Sequence, residues 1–222
     1  MTARDGERTR ETILAAAEEL FAGRGFEGTS MQQIGKAAGV ARSTAAYFFG
    51  SKRALYEAVL ARAVARAEDA MARAYAEGEE HRTSEDAVES YVGAFLDFLG
   101  RDHTFVRLIQ REALGDGSRV AEFFDRPVAD AVAALAPAAE QAGIPPQRLV
   151  LDLVALCWYP FAHERTVMPA LGIDARDPAF LDEQKRHLGS LVRAMTRQGS
   201  ERRSHDSDHV ATASGGTAPA AG

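Results

Sequence analysis

Apolar residues recur along this chain at three- and four-residue spacing, interrupted by short glycine-containing breaks. No stretch shows two-residue alternation with β-branched enrichment, so the pattern predicts an all-α fold. From Arg8 to Gly23, the stripe Ile13, Leu14, Ala17, Leu20 and Phe21 predicts a first helix. Gly23 and Gly25 supply its stop, and Phe26 can pack back on the stripe. Ser30 can cap a second helix, and Gln33, three residues on, completes a capping box. Gly39 ends that helix early. Ala41 to Phe48 form a third short helix broken by Gly50. Ser51 then caps a fourth, Lys52 to about Gly78, with Leu55, Val59, Leu60 and Val64 inside. Further apolar-periodic segments lie near 85–100, 103–113, 119–136, 146–168 and 178–197, which makes about nine helices in all. Pro127 belongs near a helix start or kink. Pro160 should kink the 146–168 helix and free a backbone carbonyl. From Gly199 the chain is small, polar and aperiodic, which predicts a disordered tail. The expected organisation is therefore a helix-turn-helix domain over 1–53, a helical regulatory domain over 54–198 and a disordered tail over 199–222.

Composition changes this picture little. The 222 residues are 46% apolar and 26% charged, as in ordinary globular proteins. Cys157 is the single cysteine, so an intrachain disulfide is excluded. The first residues are charged and lack the apolar core of a secretory signal. The apolar run Leu149–Ala162 is broken by Asp152 and is too short for a bilayer. A cytoplasmic protein without membrane contact is expected.

Charge changes it more. The net charge is −6, yet residues 1–55 carry eight Lys/Arg against six Asp/Glu, and the remainder eighteen against twenty-six. The stretch Gly28–Tyr56 holds Lys36, Arg42, Lys52 and Arg53 and no acidic residue. A phosphate-facing surface needs this local freedom from carboxylates. Two short helices joined through a glycine turn also have the geometry that sets one helix in a DNA major groove. A small residue is required where they cross, and Gly35 is placed for it. Gly39 can take the left-handed turn conformation at little steric cost.

Leu20-Phe21, Gly25-Phe26, Thr29-Ser30, Ile34, Ala38-Gly39-Val40, Thr44, Tyr47-Phe48-Phe49 and Ser51-Lys52 together resemble, in order and spacing, the TetR-type transcriptional regulators. The resemblance covers roughly the first quarter of the chain. It implies phosphate contacts from Thr29 and Ser30 at the start of the second helix, and a base or phosphate contact from Gln32. Arg42 and Ser43 become base readers, Arg42 through a guanine edge. Thr44, Tyr47 and Lys52 become phosphate anchors, with core filling beside Phe48 and Phe49 the lesser alternative for Tyr47. Ala45-Ala46 departs from the family pattern, which usually carries a larger apolar residue and often a tyrosine there.

The resemblance further implies a homodimer on palindromic double-stranded operator DNA, released by an unidentified small-molecule effector. Its dimer surface would come from the last helices. Phe180, Leu181, Gln184, Leu188, Leu191, Val192 and Met195 form a helical stripe that is either shared between subunits or packed within one. The aromatic-rich middle would enclose the effector. Candidates are Phe95, Phe98, Phe105, Gln110, Glu112, Trp158, Phe161 and His163, with Glu164 beside them; plain bundle core is the alternative for each. Activation, ligand-independent regulation or a helical protein-interaction module are the other readings of such a chain.

Other signals fail on context. Gly23-x-Gly25-x-x-Gly28 matches a dinucleotide fingerprint, but a helix precedes it where a strand is required. The six histidines show no paired metal spacing, and His163-Glu164 lacks the second histidine of a zinc-protease motif. Cys157 sits in an apolar helix, where a nucleophile is not expected. The sequence thus suggests no enzyme, no metal and no cofactor.

Overall fold

The first helix, α1 (Ala3–Arg24), turns Ile13, Leu14, Ala17 and Phe21 into the core and stops where Gly25 takes φ +74°. The computed structural model describes residues 3–76, 83–115 and 117–213. After Gly25, Phe26 folds back between Phe21 and Tyr56, with ring centroids 6.1 and 5.0 Å away. α2 (Met31–Ala37) opens with the expected capping box. Ser30 Oγ accepts from the Gln33 N–H at 3.2 Å, and Gln33 Oε1 accepts from the Ser30 N–H at 2.8 Å. α3 (Arg42–Phe49) follows, then α4 (Lys52–Ala76), whose Leu55, Tyr56, Val59, Leu60 and Ala63 are buried beneath α1.

The remaining helices are α5 (Ser84–Arg101), α6 (His103–Ala113), α7 (Ser118–Ala142), α8 (Pro146–Ala162), α9 (Val167–Ala170) and α10 (Pro178–Ala213). No strand occurs among the described residues. α5 lies at the centre of this half, flanked by α4, α7, α8 and α10, while α6 packs along α1. The two halves thus meet chiefly through α1, α4 and α6.

The expectations near the C-terminus need correcting. The 146–168 segment is two helices. Pro160 cannot donate to the Leu156 carbonyl, α8 ends two residues later, and a turn leads into α9. The freed Leu156 carbonyl accepts from Gln184 Nε2 of α10 at 3.3 Å. Pro127, by contrast, lies inside α7, which runs on past 136 to Ala142. The disordered tail expected from 199 is helical to Ala213, and 214–222 lie outside the described residues. Gly199 does not stop α10, because the absent side chain is what lets the helix pass the end of α7. A Cβ there would strike the Gln141 carbonyl oxygen and come within 2.6 Å of the Ala142 carbonyl carbon.

Candidate nucleic-acid interface

The reading unit is assembled by two glycines. Gly39 takes φ +67° and turns the chain between α2 and α3. Gly35 lets that turn press against α2, since a Cβ would lie 3.0 Å from the Val40 carbonyl oxygen and 3.2 Å from the Arg42 nitrogen. Ile34 and Ala45 are fully buried on the inner faces, and Phe49 nearly so. Ala45 thus occupies a packed position, and its small size sets the distance between α3 and the module core.

The outer face of α3 is free. Arg42 and Ser43 are exposed in its first turn, which has no acidic residue, and no side chain caps the preceding Ala41. The positive end of α3 and the Arg42 guanidinium therefore face solvent together. Tyr47 is 81% exposed, so it is not core; Phe48 is half-buried against it, and Phe49 is inside. Ser30 and Gln32 are exposed at the start of α2, and Thr44 is half-buried on α3. Lys36, exposed in the last turn of α2, joins this basic surface. The acid-free stretch included it, but no motif position pointed to it.

Two expected phosphate anchors are engaged elsewhere. Thr29 is 2% exposed. Its hydroxyl lies 2.9 Å from the Gly25 carbonyl oxygen and 3.2 Å from that of Leu20, and it closes the end of α1. Lys52 curls back, its Nζ donating to the Phe26 carbonyl at 2.9 Å and lying 4.1 Å above the Phe26 ring. Both residues brace the joint between α1 and α2.

A chain of charges ties this module to the second half. Glu18, almost buried on α1, accepts from Arg62 Nη2 and Arg66 Nη2 of α4, each at 2.5 Å. Arg66 also holds Asp102, the cap of α6, at 2.7 Å. Tyr56 of α4 donates to buried Glu112 of α6 at 2.7 Å, and Arg119 of α7 lies 3.5 Å from the other Glu112 oxygen. Burial first, then the hydrogen bond to Glu112, raises the Tyr56 pKa well above 10.0.

The expected effector residues mostly form closed core. Phe98 and Phe105 pack edge to face at 4.9 Å, Trp158 packs on Phe105 at 6.1 Å, and Phe95 lies half-buried against the same cluster. Gln110 Nε2 donates to the Ala162 carbonyl at 2.9 Å, and His163 lies tilted against Tyr159 with ring centroids 4.3 Å apart. Open space lies beside this cluster, in a cleft between α1, α6 and α8 that Gln110 and Phe161 help to line.

The stripe on α10 divides. Leu188 and Val192 are buried within the subunit, while Phe180, Leu181 and Met195 are partly so. Gln184 serves the Leu156 carbonyl, and Leu191 is 37% exposed. The larger outward apolar surface is on α8, at Leu151, Leu156 and Tyr159.

Known proteins match both halves. Residues 13–59 match the model for bacterial regulatory proteins of the tetR family. Residues 85–192 match the tetracyclin repressor-like C-terminal domain. The chain belongs to the TetR family. The HTH-type transcriptional regulator RutR of Escherichia coli K12 is 47% identical over 51 residues, a stretch covering 23% of this chain and 24% of RutR. That stretch is therefore about a quarter of the relative's length. The HTH-type transcriptional repressor NicS of Pseudomonas putida KT2440 is 27% identical over 185 residues, covering 79% of this chain and 86% of NicS. In fold, the chain resembles a putative TetR-family regulator from Mesorhizobium loti with a TM-score of 0.65 and 20% identity, over 88% of this chain and 97% of that one.

Proposed function

We propose that this protein is a sequence-specific transcriptional repressor that binds a palindromic operator as a homodimer and leaves it when a small molecule binds. The observation that carries this reading is α3. It is a helix fixed by the Gly35–Gly39 crossing, with Arg42, Ser43 and Tyr47 free on its outer side and no carboxylate in the surrounding stretch. Arg42 reads a guanine edge, while Ser30, Thr44 and Tyr47 hold backbone phosphates and set register. The protein acts in the cytoplasm by binding rather than by catalysis. No described helix is long and apolar enough to cross a membrane.

One such module spans few base pairs, so two copies related by a two-fold axis are needed. The outward apolar residues of α8, with Leu191 of α10, support a four-helix interface between subunits. Release follows from population shift. An effector that prefers a conformer with a different separation of the two α3 helices weakens DNA binding by its differential affinity. α4 is the lever, because Arg66 carries any displacement of α6 and its Asp102 cap to Glu18 of α1, which Arg62 also holds.

Selection of genomic fragments followed by mobility shift tests the reading. The purified chain should retain specific fragments, with affinity falling steeply as salt rises. Arg42→Ala and Tyr47→Ala should each weaken binding by about ten-fold or more. Absence of any specific fragment at low salt would refute it.

A further inference from the structure

A cleft of about 410 Å³ opens where the end of α1 meets α6 and the end of α8. Its floor is apolar: Val106 and Phe161 are almost fully buried there. Leu114 also lines the cleft, with 85% of its surface in water. The lining also carries three arginines, Arg107 and Arg111 of α6 and Arg165 beyond the end of α8.

Two of these cations are only loosely paired with carboxylates, Arg107 with Glu19 and Arg165 with Glu164, and Arg111 is paired with none. Glu164, the carboxylate that lines the cleft, is already gripped by Arg176, with N–O distances of 2.9 and 3.0 Å. It reaches Arg165 only at 3.6 Å. Arg111 donates to neutral acceptors, the carbonyls of Ala22 at 2.8 Å and Gly23 at 2.6 Å. Arg107 makes only long bonds, 3.4 Å to Glu19 and 3.3 Å to the Thr104 hydroxyl, and its buried Nε has no acceptor. His103 adjoins them. Burial first, then the nearby Arg176, lowers its pKa from 6.5, which disfavours a further positive charge beside the arginines.

Under-satisfied guanidinium groups over an apolar floor suit a planar anion attached to an apolar body. We propose that this cleft binds a small monocarboxylate, its carboxylate held by Arg107 and Arg165 and its hydrocarbon part laid on Val106, Phe161 and Leu114. Inorganic phosphate would meet the same charges but leave the exposed leucine uncovered. The site abuts α1 directly. A carboxylate that takes Arg107 draws it from Glu19, and so removes one of the bonds that hold α1 to α6. The consequence for operator binding rests on the repressor reading; the binding site itself does not.

Calorimetric titration of the full chain without DNA tests the site, with hexanoate and phenylpropionate as probes. Hexanol and phenylpropanol serve as uncharged counterparts, and inorganic phosphate as the bare anion. At least one acid should bind, with its alcohol and phosphate weaker by about ten-fold or more. Arg107→Gln and Arg165→Gln should each cut acid affinity by a similar factor, while Arg148→Gln, at the far end of α8, should not change it. Melting curves verify that each variant is folded, and Arg165→Gln decides the matter if Arg107→Gln is not. No heat with either acid, equal binding of acid and alcohol, phosphate binding as tight as the acids, or unchanged affinity in the folded arginine variants would overturn the proposal. Operator release by the bound acid is measured separately. Acid binding without any DNA binding would leave the site standing and sink the repressor. DNA binding without acid binding would do the reverse.

Discussion

Tyr47 stands 81% exposed on α3, whereas Lys52, five residues on, closes over Phe26. The difference is one of available partners. Phe26 offers Lys52 both a carbonyl and a ring face, and Arg119 lies 5.0 Å from the centre of the same ring. Thr29 makes a similar choice, because the end of α1 leaves the Gly25 carbonyl within reach of its hydroxyl. Such choices are not legible in the sequence, since they depend on where other segments leave unpaired groups. The capping box and the left-handed Gly39 are legible, because both are set within four residues. Gly35 is the most sensitive point of the module. Gly35→Ala would force its Cβ against backbone atoms of Val40, Ala41 and Arg42, none of which can swing aside as a side chain would. It should cost about 1–3 kcal/mol in denaturant unfolding and weaken DNA binding beyond that loss, by tilting α3. An unchanged unfolding midpoint would mean that the crossing has more room than the distances indicate.

Among elements, α6 matters most for communication between the halves. It bears Glu112 and Arg111, starts from the cap Asp102, and packs against α1. Arg66 joins that cap to Glu18 on α1. Arg66→Ala should therefore leave the nearly buried Glu18 with Arg62 alone and lower stability by about 1–3 kcal/mol. Differential scanning calorimetry reads this directly, and an unaltered melting temperature would contradict the clamp. Helix types and most boundaries were legible from periodicity and caps. The break between α8 and α9 was missed although the polar run His163–Thr166 marks it, because apolar residues resume at Val167; Pro160 and the Gln184 bond to Leu156 decide the end. The extension of α10 was hidden for a related reason. Gly199 looks like a terminator locally, and only the passage against α7 reveals it as a packing glycine.

For the whole molecule, two consequences follow from what is inside and what is outside. Burial raises the Cys157 pKa from 9.0 to about 12 and the Tyr91 pKa from 10.0 to about 12, and Tyr56 is raised as well. The folded state thus keeps protons that the unfolded chain releases. Their contribution to stability is complete below pH 9 and is lost as pH climbs through the folded values. Stability measured by urea unfolding should hold to about pH 9 and then fall steeply, and Tyr91→Phe should make the fall shallower. A flat profile to pH 11 would show these groups to be solvated. Outside, Leu151, Leu156 and Tyr159 present apolar surface on α8. If these residues form the proposed subunit interface, Leu156→Glu should yield a monomer in sedimentation analysis and lower operator affinity by about ten-fold or more, with the helical content retained. A dimer of unchanged strength would move the interface elsewhere.

The central claim is that two copies of α3 read one symmetric DNA site. Footprinting on a selected operator tests it most directly, with the wild-type chain and Arg42→Ala compared at matched concentrations of folded protein. The account predicts a protected palindrome whose half-sites lie about one helical turn, or a multiple of it, apart, with protection lost in Arg42→Ala. An asymmetric footprint, or one that Arg42→Ala leaves intact, would contradict it.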